Sequence, residues 1–288
     1  MTLSRLRQLM QLLSTILSNS YIGVIYTRTI NTNILKGVCV PFLNCYSCPT
    51  ALFSCPIGTL QHFSAIHAIP FYLLSFLSIV GVAVGRMACG WICPFGFFQD
   101  LMYKIPSNKH ELPYHLKYIK YFIFIIFVIV LPYQTGDMWF SMLCPAGTLT
   151  AGIPWALWNP VNPETGQQVL QNGPGAIFYL SLIVLMGFLI WFVFVKRPFC
   201  RAVCPMGAFF ALFNKFCLVQ LEVNHKCDGC DICKSNCPVD LNVAVEFDSG
   251  ECIRCLECTR CEHVKVKKIT NNEKHPVIKS LRDFNKDG

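Results

Sequence analysis

The run Ala176 to Val195, AIFYLSLIVLMGFLIWFVFV, is twenty residues long and carries no charge. As a helix rising about 1.5 Å per residue it covers roughly 30 Å, the thickness of a bilayer's hydrocarbon core. A chain with such a segment places part of itself in lipid. The composition agrees, since 53% of its 288 residues are apolar and 14% are charged, which excludes disordered and collagen-like classes and argues against a small disulfide scaffold. Two further runs reach spanning length: Ser64 to Gly85, also uncharged, and Tyr121 to Tyr133 if Lys117 and Lys120 snorkel to the surface. A more dilute segment, Gln8 to Tyr26, reads as a first span. Arg5 and Arg7 precede it, but no small-x-small cleavage site follows, as a signal peptide would need.

Four spanning helices are therefore expected, and the positive residues orient them. Arg28 and Lys36 lie between the first and second spans, and the stretch from Tyr133 to Gly175 has no Lys or Arg. Between the second and third spans stand Arg86, Lys104, Lys109, Lys117 and Lys120, and fifteen more follow Val195. The positive-inside bias puts both termini and the middle loop in the cytoplasm, so the expected location is the cytoplasmic (inner) membrane, multi-pass. On this reading the net charge of +8 is mostly a topology signal. Lys265, Lys267 and Lys268 read as a solvated tail touching anionic lipid. No aromatic and basic pattern points to nucleic acid.

The second constraint is a count of 18 cysteines. After the last span comes CDGCDICKSNCP, with Cys227, Cys230, Cys233 and Cys237 in the spacing C-x2-C-x2-C-x3-C-P. CIRCLECTRC follows, with Cys252, Cys255, Cys258 and Cys261. Three thiolates within seven residues wrap one face of a [4Fe–4S] cube, and the distant fourth closes the neighbouring cube. The expected partition is Cys227, Cys230 and Cys233 with Cys261, and Cys252, Cys255 and Cys258 with Cys237. These runs resemble bacterial two-cluster ferredoxins with one departure. Cys261 follows Cys258 after two residues instead of three, and Glu262 stands where proline is usual. A pair of zinc sites would normally use two separated C-x2-C knuckles, and disulfides do not suit a reducing cytoplasm.

Four of the other ten cysteines open a C-P-x-G motif: Cys55 in CPIGTL, Cys93 in CPFGFF, Cys144 in CPAGTL and Cys204 in CPMGAFF. By their neighbours they form two pairs, CPIGTL with CPAGTL, and CGWICPFGFF, holding Cys89 and Cys93, with CRAVCPMGAFF, holding Cys200 and Cys204. Each half of the membrane part reads span, outer CPxGTL, span, inner C-x3-C-P-x-G. The halves are expected to be parallel pseudo-repeats. Proline after cysteine suits the first position of a helix, whose exposed amides favour negative charge, and the glycine clears a helix start that something approaches closely. The inner motifs supply Cys89, Cys93, Cys200 and Cys204, the right number for one further iron–sulfur centre. The outer face offers Cys39, Cys45, Cys48, Cys55 and Cys144, of which Cys45, Cys48, Cys55 and Cys144 are candidate metal ligands. A redox-active dithiol at Cys45 and Cys48 is the competing reading. Cys217 reads as structural. His62 and His67, five apart, do not share a helix face as haem ligands would.

CGWICP at Cys89 to Pro94, CRAVCP at Cys200 to Pro205 and the ferredoxin runs together resemble the NapH/NosR-type family of membrane-bound 4Fe–4S proteins. The resemblance covers nearly the whole chain. It implies electron transfer at the cytoplasmic membrane, often from quinol toward a reductase or a maturation system. Copper-reducing assembly factors of haem–copper oxidases look similar too.

The expected architecture is an α-helical membrane domain of four transmembrane helices over 1–220, a small α+β two-cluster ferredoxin domain over 221–265, and a basic C-terminal tail over 266–288. The expected function is a relay of single electrons between the cytoplasmic clusters and a redox partner protein or quinone, as a component of an oxidoreductase system more than a stand-alone enzyme. The alternative is a copper reductase or redox maturation factor using outer-face thiols, since soft thiolates suit Cu(I) as well as iron.

Overall fold

The computed structural model describes residues 3–27, 31, 33–159, 175–224, 227, 230, 232–246 and 249–266. The basic tail expected over 266–288 lies outside the described residues but for Val266. The protein is helical. Among the described residues, two helices are long and apolar enough to cross a membrane, Tyr114–Thr135 with a mean hydropathy of 1.9 and Ala176–Phe194 with 2.6. In each, 17% of the apolar window is buried. A core helix of a soluble protein would be mostly buried, so these present their apolar surface outward.

The other two expected spans fold differently. Leu3–Ser18 is a helix of 16 residues, and its polarity is inverted. Arg7, Gln11 and Ser18 face the protein, while Leu9, Leu12, Leu13, Ile16 and Leu17 are exposed. The uncharged run Ser64 to Gly85 is not one helix. Pro56–Ala65 ends within it, the chain turns through His67 at φ +57, and Phe71–Val84 begins after Pro70. Proline supplies no N–H to continue a ladder and biases the residue before it away from helix, which explains the break. Phe71–Val84 has 14 residues and rises about 21 Å.

Tyr114–Thr135 passes through a π-helical stretch, Phe124–Val130, just before Pro132. Thr148–Gly152 is π-helical just before Pro154. The wider turn in each case precedes a residue that cannot donate to the helical ladder. Lys120, expected to snorkel, does not. It is fully buried and ion-paired to Glu251, whereas Lys117 stays outside over the Tyr114 ring at 3.1 Å.

After Ala176–Phe194 the chain turns back under the helices. Leu221–Val223 pairs antiparallel with Val264–Val266 in the register Leu221↔Val266, closing the cysteine-rich tail into a loop. The boundary expected at 220/221 falls inside continuous packing. One buried cluster holds Cys55, Cys89, Cys93, Cys144 and Cys204 together with Cys233, Cys237, Cys252, Cys255 and Cys258.

Candidate functional site

All four Cys-Pro-x-Gly motifs fold alike. Cys55, Cys93, Cys144 and Cys204 are helix N-caps with extended backbone, and each following proline takes the first turn. The Cys204 sulfur accepts the Gly207 N–H at 3.4 Å, whereas at Cys55, Cys93 and Cys144 the amides of Gly58, Gly96 and Gly147 lie close enough to favour a thiolate without closing a cap hydrogen bond. Sulfur at a helix N-terminus is where a negative group is stabilised.

The two inner motifs meet. Cys89, Cys93, Cys200 and Cys204 are all buried and close enough to act on one another electrostatically. Burial first, then Cys200 and Cys89, push the Cys93 thiol up to about 12. Burial first, then Cys200, Cys89 and Cys93, raise Cys204. Such thiols become thiolates only around a positively charged body. The motifs are also cross-linked reciprocally. Arg86 Nη2 donates to the Cys200 carbonyl at 2.9 Å, and Arg197 Nη1 donates to the Cys89 carbonyl at 2.9 Å. A Cβ on Gly207 would stand 2.9 Å from Arg86 Nη2, and one on Gly96 would stand 3.2 Å from Arg197 Nη1. The approach that the motif glycine clears is thus made by the arginine of the opposite motif. Gln99 Nε2 completes the group at 3.1 Å from the Cys200 sulfur.

In the tail, Cys237, Cys252, Cys255 and Cys258 come together. Burial first, then Cys237 and Cys252, push Cys255 up to about 12, and Cys258 is raised by burial and by the same neighbours together with Cys255. Of the other expected set, Cys233 is buried, Cys227 and Cys261 are half-buried and Cys230 is exposed. The tail sits directly on the inner motif. The Ile253 carbonyl lies 2.6 Å from where a Cβ on Gly90 would be, and Trp91 Nε1 donates to the Arg254 carbonyl at 3.3 Å. Asn214 Nδ2 donates to the Ser249 and Cys252 carbonyls at 2.7 and 2.9 Å, and Arg254 Nη2 donates to the Asn214 carbonyl at 2.8 Å. Arg7 bridges Asp100 and Glu257 at 3.1 and 3.3 Å.

The third group was expected on the opposite face. Cys45, Cys55 and Cys144 do converge, lining one pocket with Tyr46, Ile57 and Phe140. Cys48 does not line this pocket but packs beside Cys45, bonded to Thr50 Oγ1 at 3.2 Å and set among Ala51 and Ala151. Cys39 bonds Thr59 Oγ1 at 3.4 Å. The group is not a membrane's thickness from the inner motif, however. The Leu43 amide lies near the Cys93 sulfur and the next amide, of Asn44, lies near the Cys55 sulfur. Consecutive residues lie about 3.8 Å apart, so the two sulfurs are separated by on the order of 10 Å. The segment carrying Cys45 and Cys55 dips inward toward the inner motif. Cys217 is buried, donating to the Asn214 and Val219 carbonyls at 3.3 and 3.2 Å, a packing role. His67 lies beyond the helix carrying His62 and packs on Tyr133 at 4.2 Å.

The surroundings fit an anionic iron–sulfur group. Arg86, Arg197 and Arg254 are fully buried. Arg86 Nε, Arg201 Nε and Nη1, and Arg254 Nη1 are buried with no hydrogen-bond partner among the described residues. Cluster sulfides accept N–H bonds, and thiolate-ligated cubes carry negative charge. Among the described residues no three Cys, His, Asp or Glu side chains could hold a single metal ion. A cube, ligated at four separate corners, spreads its thiolates around a larger body.

The arginines, Gln99 and the acids Asp100, Glu251 and Glu257 were missed from sequence. A signal existed for two of them. Arg86 and Arg197 each stand three residues before the first cysteine of an inner motif, giving R-x2-C-x3-C-P-x-G twice. The acids carry no such repeat.

The 4Fe-4S binding domain family matches residues 66–113 and 177–222, one match to each inner motif. An uncharacterized protein of Methanocaldococcus jannaschii is 33% identical over 195 residues, 64% of this chain and 72% of that one. The methylamine utilization ferredoxin-type protein MauN of Paracoccus denitrificans is 33% identical over 182 residues, 61% of this chain and 55% of its own length. The ferredoxin-type protein NapH of Escherichia coli is 24% identical over 223 residues, 70% of this chain and 69% of its own. The chain therefore spans little more than half of MauN. No solved structure matches. With these relatives and this double motif, the chain belongs to the NapH/NosR-type family of 4Fe–4S ferredoxin-type electron-transport proteins.

Proposed function

We propose that the protein relays single electrons between the ferredoxin-like tail and a redox partner in the membrane. The observation that carries this reading is the seating of the Cys252–Cys258 run on Gly90, which leaves the tail thiols and the inner thiols in one buried core. Cys237, Cys252, Cys255 and Cys258 would hold one [4Fe–4S] cluster and Cys227, Cys230, Cys233 and Cys261 a second. Cys89, Cys93, Cys200 and Cys204 would hold a further one. Cys45, Cys48, Cys55 and Cys144 would surround a second multi-iron centre beside it, not a single ion. When bound, such clusters supply one-electron oxidation and reduction.

The chain's own residues then have definite work. Phe95, Phe192 and Phe199 pack edge to face beside the inner motifs and exclude water. The arginines offset negative charge, and the Leu43–Asn44 backbone joins the inner group to the third. We further propose that the chain is multi-pass, that Leu3–Ser18 and Phe71–Val84 complete four membrane helices, and that both termini face the cytoplasm. The inverted polarity of Leu3–Ser18 supports its contact with lipid.

A crevice of about 280 Å³ opens beside Cys45, between the Thr148–Trp158 region and the start of Ala176–Phe194. Ser47, Ser141 and Trp155 line it, and Trp155 Nε1 is buried without a partner among the described residues. A quinone head group, apolar with a carbonyl at its edge, suits this lining as the membrane partner.

The test is iron and acid-labile sulfide on anaerobically purified protein, with EPR, for wild type and Cys93→Ala/Cys204→Ala. Wild type should contain more iron than the roughly eight atoms of two tail clusters, and the double variant should lose the excess. No excess in the wild type would refute the inner centre.

A further inference from the structure

The two inner motifs are matched in their arginines and mismatched in their acids. In the first, CPFGFFQD, the helix opened by Cys93 carries Asp100, and Arg197 binds it through Nε–Oδ1 at 2.6 Å and Nη2–Oδ2 at 2.5 Å. In the second, CPMGAFFA, the equivalent position is Ala211, so the motif has no acid for Arg86. The tail supplies one. A Cβ on Gly250 would meet Ala211 Cβ at 3.4 Å, and the next residue, Glu251, lies 3.2 Å from Arg86 Nη1. Arg86 Nη1 also holds the Gly250 carbonyl at 2.7 Å, and Lys120 takes the other Glu251 oxygen. Ala211 leaves the room that the incoming tail residues occupy.

We infer that Glu251 is a counter-charge lent by the tail to the inner thiol group, so that seating the tail sets the reduction potential of the centre held there. This rests on the proposal that Cys89, Cys93, Cys200 and Cys204 hold a cluster. Arg86 acts electrostatically on Cys89, Cys200 and Cys204. Reduction adds negative charge, so an uncompensated guanidinium favours the reduced state and a neighbouring carboxylate opposes it. With the tail seated, Arg86 and Lys120 share one carboxylate and the potential is held down. With the tail lifted, both cations act unopposed and it rises. The first motif carries its own Asp100, so Arg197 keeps a carboxylate whether or not the tail is seated. Glu251 is a positioning and charge-setting residue, since it acts through Arg86 and touches none of the four thiols.

The experiment is an anaerobic redox titration of the full chain followed by EPR, with iron and sulfide counted on the same samples. The inner signal is assigned by its loss in Cys93→Ala/Cys204→Ala. Glu251→Gln should raise the inner midpoint, Arg86→Gln should lower it, the double variant should fall between, and Arg86→Lys should stay near wild type. Full iron in Glu251→Gln with an unmoved inner midpoint overturns the inference. Should that variant lose iron, an unmoved midpoint in Arg86→Gln overturns it equally. A wild type with no iron beyond the tail's would instead refute the inner cluster itself, a different result from a cluster whose potential ignores Glu251.

Discussion

At the scale of single residues, the inner site depends on Gly96 and Gly207, where an added Cβ would crowd the arginine of the opposite motif. Gly207 is crossed by Arg86 and faces the Cys200 carbonyl, 3.0 Å from where a Cβ would stand. Gly207→Ala is expected to cost about 1–3 kcal/mol through overpacking and to lower the iron content of the membrane part. Gly187→Ala, in Ala176–Phe194 with nothing within 4 Å of the added carbon, is the matched control and should leave iron unchanged. Iron per chain and thermal stability in detergent check both. The glycine's purpose was legible in the sequence, because a Gly after Cys-Pro at a helix start announces a close approach. The approaching group was not, since Arg86 and Gly207 are joined only by the fold. Nor was the fate of Lys120, which the sequence offers as a snorkelling residue at a helix end and the fold pairs with Glu251, far along the chain.

At the scale of elements, periodicity and run length found the helices whose apolar stretches are unbroken and mistook the one that is interrupted. Ser64 to Gly85 has the composition of a span, and only Pro70 betrays the turn. Leu3–Ser18 reads as a diluted span because its polar residues point at protein instead of water. One of the elements that tie membrane part to tail is the helix start carrying Lys120. Removing one member of a buried ion pair costs about 3–5 kcal/mol, because the partner charge is left behind. In Lys120→Met, Glu251 keeps Arg86 as a partner, so the loss should sit at the low end of that range and loosen the tail without unfolding the helices. Faster protease cleavage within residues 215–249, with the helices intact, is the expected outcome. Cleavage at the wild-type rate would show that Lys120 contributes nothing to seating.

At the scale of the whole molecule, the tail's anchors at Glu251 and Glu257 are pairs that solvent barely reaches, while Lys196–Asp240 and Lys234–Glu111 are more exposed, so added salt should do little to the buried seating, whereas acid should release it. Burial opposes the Glu251 charge, but Arg86 and Lys120 more than offset this and hold its carboxyl below the usual range. A lowered folded value means that the stabilisation is fully present above the ordinary glutamate pKa of about 4.3 and is lost as pH falls through the lower folded one. Protease resistance of the tail should therefore persist at neutral pH in about 1 M salt, where the screening length is only about 3 Å, and fail on acidification below about pH 4. Release by salt at neutral pH would contradict the buried seating.

The crossing of Arg86 and Arg197 bears on inheritance as well as on charge. Each half of the chain carries a guanidinium whose acceptor is a carbonyl of the other half, so a lone half is chemically unfinished and two copies of one half could finish each other. A chain cut between Thr135 and Ala176 and expressed as two polypeptides should reassemble around the four shared cysteines, with neither fragment retaining inner-site iron alone. Duplication of a self-pairing ancestor, followed by the loss of one acid and its replacement from the appended tail, would leave the asymmetry now seen between Asp100 and Ala211.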